Sequence, residues 1–409
     1  MYSCLDTPDM TIGIANMKIE PTVASGANSP FPSDGSLLFT GEVISVGKVD
    51  KVFKRGFCWG FDAGKLTDTI FIESTNLEPD TFSYVLQNVR GDTTVYWQAF
   101  ARNDHDISLG EIKSYTTPPI FTYNVGYAFT GLPRSYFTSF TLNNNLYITC
   151  GYYNIFFNDI YRFDKTNWWY NVPTFPGAAR SNLVAFTIDS LAYVGTGRAT
   201  APTIFGDFYV FNGNGNPPNW NGTPIQTPAE MPRYDAVAFS LNQKGYVVGG
   251  NTGNEVSKDV WEYSITNGID SWRKMNDFPA SFSGSLSFSN NERAFVGLGA
   301  GNLRDTLWEY NAAADSWKVF ASSPTNSLGE QTIIYSGAIT SDKIYLLDVA
   351  NIIWELDLAT GKYKQKSMLP ENFPSPPPPS QYMFSLGDAI YIGLGGTELF
   401  YRYYPLWDN

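Results

Sequence analysis

Between residues 11 and 117, apolar and polar positions alternate in short runs divided by turn residues. Each run predicts a strand: Thr11–Glu20, Ser36–Val46, Arg55–Trp59, Thr69–Glu73, Thr81–Asn88, Thr94–Ala101 and Gly110–Tyr115. In the sixth, alternation puts Tyr96, Gln98 and Phe100 on one face and Val95, Trp97 and Ala99 on the other. Such a run of short strands predicts an immunoglobulin-like β-sandwich over residues 11–118, behind a tail of residues 1–10.

Beyond the Pro118-Pro119 junction the pattern acquires a long period. Tyr147, Tyr193, Tyr246, Phe295, Tyr345 and Tyr391 recur at intervals of 46 to 53 residues. Tyr161, Tyr209, Trp261, Trp308, Trp354 and Tyr401 follow at intervals of 46 to 52. In each repeat a small-residue or alternating strand precedes a strand ending near Gly, and a loop leads to an aromatic strand such as Val260-Trp261-Glu262-Tyr263. A fourth segment runs from an aromatic residue to Pro, as from Trp169 to Pro176 and from Trp272 to Pro279. Four strands without a helix make a propeller blade, so residues 119–409 predict a six-bladed β-propeller in an all-β chain. The sixth repeat stops soon after Tyr401-Arg402-Tyr403-Tyr404. The segment Gly126–Arg134 carries the missing fourth-strand ending, so a strand near residues 123–133 is expected to close the ring.

Composition narrows the chemistry. Charged and aromatic residues each make up 16% of the chain, with 36 Gly and 25 Pro, which suits short strands and tight turns. There is no 18-residue apolar run to span a membrane as a helix. With 27 basic against 39 acidic residues, the net charge of −12 disfavours nucleic acid as a partner. Cys4, Cys58 and Cys150 form neither a disulfide framework nor a metal-ligand spacing, and the single histidine, His105, excludes sites needing two imidazoles. No cofactor or metal is expected.

Several motifs resemble known families. Gly56-Phe57-Cys58-Trp59, the strand Thr94–Ala101 and the ending Tyr115-Thr116-Thr117-Pro118 resemble fibronectin type III-like modules of Bacteroidetes surface proteins, with Trp97 and Gln98 departing from the usual pattern. That resemblance implies a spacer, with His105 a loop residue. Gly151, Gly197, Gly250, Gly299 and Gly395 at the ends of second strands, with the aromatic strands and the Trp-to-Pro segments, resemble kelch repeats; Val349 stands in for glycine in the fifth. A copper-radical oxidase of kelch type would need histidine ligands that the repeats lack. Some six-bladed kelch proteins are epimerases or mutarotases of acidic sugars, and that activity is the enzymatic alternative. Met1-Tyr2-Ser3-Cys4, with Asp6 and Asp9 behind it, resembles the end of a bacterial lipoprotein signal. It implies acylation of Cys4 and an exported, outer-membrane or cell-surface protein, although no apolar signal region precedes it.

Candidate site residues cluster on the predicted face of blade-to-blade and second-to-third loops. Arg134, Arg180 and Arg233 start innermost strands, where they either hold a carboxylate or sulfate at the channel mouth or tie the blades together. The fifth blade offers Glu330 and Gln331, the former a candidate acid/base for a sugar-acid reaction. Tyr152, Tyr153, Phe156 and Phe157 crowd one loop, where they either pack over the rim, stack on a glycan or meet a protein partner. Residues 373–379, rich in proline, form a stiff spacer on the same face. The expectation is a non-catalytic surface protein that binds glycan, with the sugar-acid enzyme and a protein-docking subunit as alternatives.

Overall fold

The computed structural model describes residues 22–23, 37–43, 54–73, 80–123 and 127–408, with gaps at 88, 103–106, 118, 165, 167, 291, 300, 371–381, 388, 395–397 and 406–407. The strand expected at Thr11–Glu20, Cys4, His105, the proline-rich loop 373–379 and Gly395 lie outside the described residues. The described residues are all-β, with a 3-10 turn at Gly301–Leu303. It divides into two compact units, Met1–Thr122 with Tyr404–Asn409, and Tyr123–Tyr403.

In the first unit, Leu37–Val43 pairs with Thr22–Val23 and Asp80–Leu86, while Lys54–Gly60 lies between Asp68–Glu73 and Thr94–Arg102 in a second sheet. The strand expected over residues 110–115 is two strands, Ile107–Leu109 and Lys113–Thr116, both paired with Thr94–Arg102. Phe39 and Phe82 of one sheet share a core with Phe57, Val95, Trp97 and Ala99 of the other. Val95, Trp97 and Ala99 are the face that alternation set apart, and Phe39 stacks on Trp97 at 4.9 Å.

The second unit holds six four-stranded antiparallel sheets, an arrangement that fits a propeller. Five take their strands in chain order: Thr138–Leu142 to Trp169–Val172, Val184–Ile188 to Asn219–Trp220, Val237–Leu241 to Ile269–Lys274, Ser285–Ser289 to Ser316–Ser322, and Ile334–Ile339 to Tyr363–Met368. The sixth comprises Tyr382–Leu386, Ala389–Gly393 and Phe400–Tyr403, and its outermost strand is Phe121–Tyr123. The sequence placed that strand a few residues later. Instead, the segment around Phe129 fills the gap between the last sheet and the first: Phe129 N–H donates to Glu398 C=O, and its ring meets Tyr161 and Trp169 edge-on at 4.8 and 5.1 Å. Tyr127 and Phe129 share one core with Phe163 and Trp169 of the first sheet and Phe384, Tyr391 and Phe400 of the last.

Every first strand neighbours the first strand of the next sheet, from Thr138–Leu142 round to Tyr382–Leu386. Thr141 Oγ1 then donates to Ser385 C=O at 3.1 Å, which joins the last sheet to the first. The six recurring aromatics of the second strands are all buried. In the first three sheets each stacks on a first-strand phenylalanine directly opposite: Phe140 on Tyr147, Phe186 on Tyr193 and Phe239 on Tyr246, with centroids 5.0 to 5.1 Å apart. A large ring on each inner strand fills the wedge between sheets, and this burial repeats because the sequence does.

Candidate functional site

Each of the three arginines expected at the channel mouth is fully buried and paired with an aspartate. The guanidinium of Arg134 forks onto both carboxylate oxygens of Asp159, with Nη2 at 2.9 Å. Arg180 does the same with Asp207 and Arg233 with Asp259, at 3.1 and 3.0 Å from Nη2. The remaining donors go to backbone: Nε to Leu132, Ala178 or Met231, and Nη1 to Cys150, Thr196 or Gly249. Phe157 lies over Arg134 at 4.2 Å and Phe205 over Arg180 at 3.6 Å. Four of the five N–H donors of Arg134 and of Arg180 are thus taken inside the fold, and all five of Arg233, whose Nη2 also donates to Glu230 C=O at 2.8 Å. Each fastens the entry of its sheet to the connection between second and third strands, while the backbone joins neighbours: Gly151 N–H donates to Arg180 C=O, and Gly197 N–H to Arg233 C=O. Phe157 accordingly belongs to the interior, not to an open aromatic cluster.

The other aromatics of that loop do face outward. Tyr152–Tyr153 and Ile155–Phe156 form a small antiparallel hairpin, turned by Asn154 at φ 59°. Tyr152, Tyr153 and Ile155 are 39%, 53% and 58% exposed, and Tyr136 beside them is also exposed. Phe156 is half-buried, with its ring 4.9 Å from that of Tyr152.

The residue after the glycine that recurs at the ends of second strands marks a row that the sequence reading missed. Tyr152 bridges to Ser135, Arg198 to Ser181 and Asn251 to Tyr234, the same position in three successive sheets. Gly151-Tyr152, Gly197-Arg198 and Gly250-Asn251 carried that signal. Arg198 is half-buried, lies over the Tyr234 ring at 4.6 Å, and makes no ion pair among the described residues. Next to it, Asn182 Nδ2 donates to Asp235 Oδ1, and burial holds the Asp235 carboxyl above the usual range against that bond and the charge of Arg198.

Glu330 and Gln331 are exposed. Glu330 is tied into its own turn, where its N–H donates to Asn326 Oδ1 at 3.0 Å and its carboxylate accepts from Asn326 Nδ2 at 3.2 Å. The fifth-sheet position equivalent to the arginines is occupied by Thr332, whose hydroxyl donates to Asp348 at 3.0 Å. Thus the structure does not bring Glu330 together with Arg180 or Arg233, both of which are bound to aspartates.

A cavity of about 740 Å³ runs along the axis of the second unit, toward the opposite end from the Tyr152 hairpin. Its wall is the alternate face of the first strands: Ser139 and Thr141, Thr187, Ser240, Ser289 and Ser385. The rim is formed by the turns after those strands, at Asp189, Gln243 and Asn290. The pattern small–Phe–small was legible in Ser139-Phe140-Thr141, Ala185-Phe186-Thr187, Ala238-Phe239-Ser240 and Ser287-Phe288-Ser289, since alternation sends Phe between sheets and the small residues to the axis.

No family model matches the chain, and no curated protein does. Among solved structures it is similar to that of YjhT, with 17% identity and a TM-score of 0.42, over 52% of this chain and 72% of that one.

Proposed function

We propose that this chain is an exported, non-catalytic binding protein of the bacterial cell surface. In this reading a fibronectin type III-like module carries a six-bladed kelch-type propeller whose loop face takes glycans. The observation that carries it is the exposed hairpin of Tyr152 and Tyr153 at one end of the first sheet, which offers ring faces to a sugar. Half-buried Arg198 and Asn251 hold the equivalent position in the next two sheets and offer donors for hydroxyl or carboxylate groups. Arg134, Arg180 and Arg233, which the repeats also deliver to that end, are spent on aspartates inside the fold. A catalytic reading has less support, because Glu330 is an exposed turn residue hydrogen-bonded to Asn326 and lacks a cation to hold an acidic substrate.

A screen of the intact chain against neutral and acidic oligosaccharides tests this. Binding of at least one class is expected, weakened about tenfold or more by the pair Tyr152→Ala/Tyr153→Ala, since each stacked ring contributes roughly 0.5–1.5 kcal/mol. Turnover of a uronic or sialic acid that disappears in Glu330→Gln would replace this reading with the enzymatic one. Co-purification of an outer-membrane protein, without any glycan bound, would replace it with protein docking.

A further inference from the structure

We propose that the axial cavity is a second binding site, for a small neutral polyol such as a mono- or disaccharide, entered at the end where first and second strands turn. It is independent of the loop-face reading, because it lies at the other end of the same strands. With about 740 Å³ the cavity falls within the range of ligand sites, and it has room for roughly 25 waters at about 30 Å³ each. Among the described residues its lining contains no lysine or arginine, and Asp189 at the rim is the single charged one. An anion would therefore find no counter-charge and would meet a carboxylate on entry.

The hydroxyls of the wall are divided into two kinds by what they already bond. Ser240 Oγ accepts from Thr187 N–H at 2.8 Å and also bonds Thr187 Oγ1 at 3.4 Å, while Ser289 Oγ accepts from Ser240 N–H at 3.4 Å and keeps its own O–H to donate. Thr141 Oγ1 donates to Ser385 C=O at 3.1 Å and Ser287 Oγ to Ala238 C=O at 2.8 Å, so each keeps lone pairs to accept. A wall that mixes fixed donors with fixed acceptors matches a ligand whose every hydroxyl is both. An apolar ligand would instead strip water from these groups and leave them unpaired, at a cost of about 1–3 kcal/mol each. The backbone bonds that orient the hydroxyls are the ones that join neighbouring sheets, so the wall is set before any ligand arrives.

The test uses the full chain with glucose, maltose and myo-inositol as neutral probes and glucuronate as the anionic control, read by calorimetry and saturation-transfer NMR. At least one neutral probe is expected to bind, with glucuronate at least tenfold weaker. Ser289→Trp, which puts a bulky ring into the cavity in place of a wall hydroxyl, should abolish that binding. Thr141→Val, nearly isosteric and folded like the parent, should weaken it about three- to tenfold, the loss of one hydrogen bond. Tyr152→Ala/Tyr153→Ala should leave it unchanged. The proposal is overturned if no neutral probe binds, if glucuronate binds equally well, if both Ser289→Trp and Thr141→Val bind as the parent does, or if the tyrosine pair abolishes binding instead.

Discussion

A buried arginine that forks onto a partly buried aspartate is worth more as a pair than either partner alone. Removing the carboxylate leaves the guanidinium of Arg233 desolvated, with its backbone bonds but no counter-charge. Asp259→Ala should therefore cost about 3–5 kcal/mol in denaturant unfolding, in the range found for broken buried ion pairs. Acid should probe the same groups. Burial alone would raise the carboxyls of Asp259, Glu262 and Glu309, but it is outweighed by the bonds and charges of Arg233, of Tyr246, Lys244 and Arg273, and of Arg293 and Lys318. All three are held below their ordinary range, so the unfolded chain takes up protons first as pH falls. Their stabilisation is complete above the unfolded values and is lost as pH drops through the folded ones. The melting temperature should stay level from neutrality to about pH 5 and then fall, with a shallower fall in Glu262→Gln. Cys150 makes the opposite case: burial pushes its thiol up to about 12, so it should resist alkylation in the native protein and react only on unfolding, as followed by peptide mass spectrometry.

At the scale of the elements, the glycines that end second strands and the seam around Phe129 decide whether sheets can meet. Gly250 has φ of +92°, and a Cβ there would come within 2.7 Å of the Ala236 side chain. Gly250→Ala should destabilise by about 1–3 kcal/mol through strain alone. Phe129→Ala opens the core shared by the first and last sheets and should cost about 3–5 kcal/mol, as measured by the same unfolding curve. Much of this level was legible in the sequence, because the long period of Tyr147 and its counterparts is the period of burial itself. The closing strand was misplaced because Gly126–Arg134 carries the aromatic and proline signals of a strand end, whereas the paired strand, Phe121–Tyr123, carries only three residues of ordinary β-formers. The arginines were readable as repeated positions but their partners were not, since Asp159, Asp207 and Asp259 lie 25 to 27 residues away and pairing is a property of the folded loop. The aromatic loop divided for the same reason: nothing in Tyr152–Phe157 shows that Phe157 alone turns in to cover Arg134.

For the whole molecule, function is proposed at the two ends of one scaffold, with exposed rings and the half-buried guanidinium of Arg198 at the loop end and a hydroxyl-lined cavity at the hairpin end. Both depend on six sheets forming one closed ring, in which no sheet has a free outer neighbour. A stack of repeats with open ends frays from those ends, whereas a ring has none. Hydrogen exchange of the full chain in rising sub-denaturing urea, read by mass spectrometry, measures that difference directly. A closed ring predicts that the amides of Thr138–Leu142 in the first sheet and Tyr382–Leu386 in the last become exposed at the same urea concentration as those of Val237–Leu241 in the third. Exchange of the first or last sheet at clearly lower urea than the third would contradict closure.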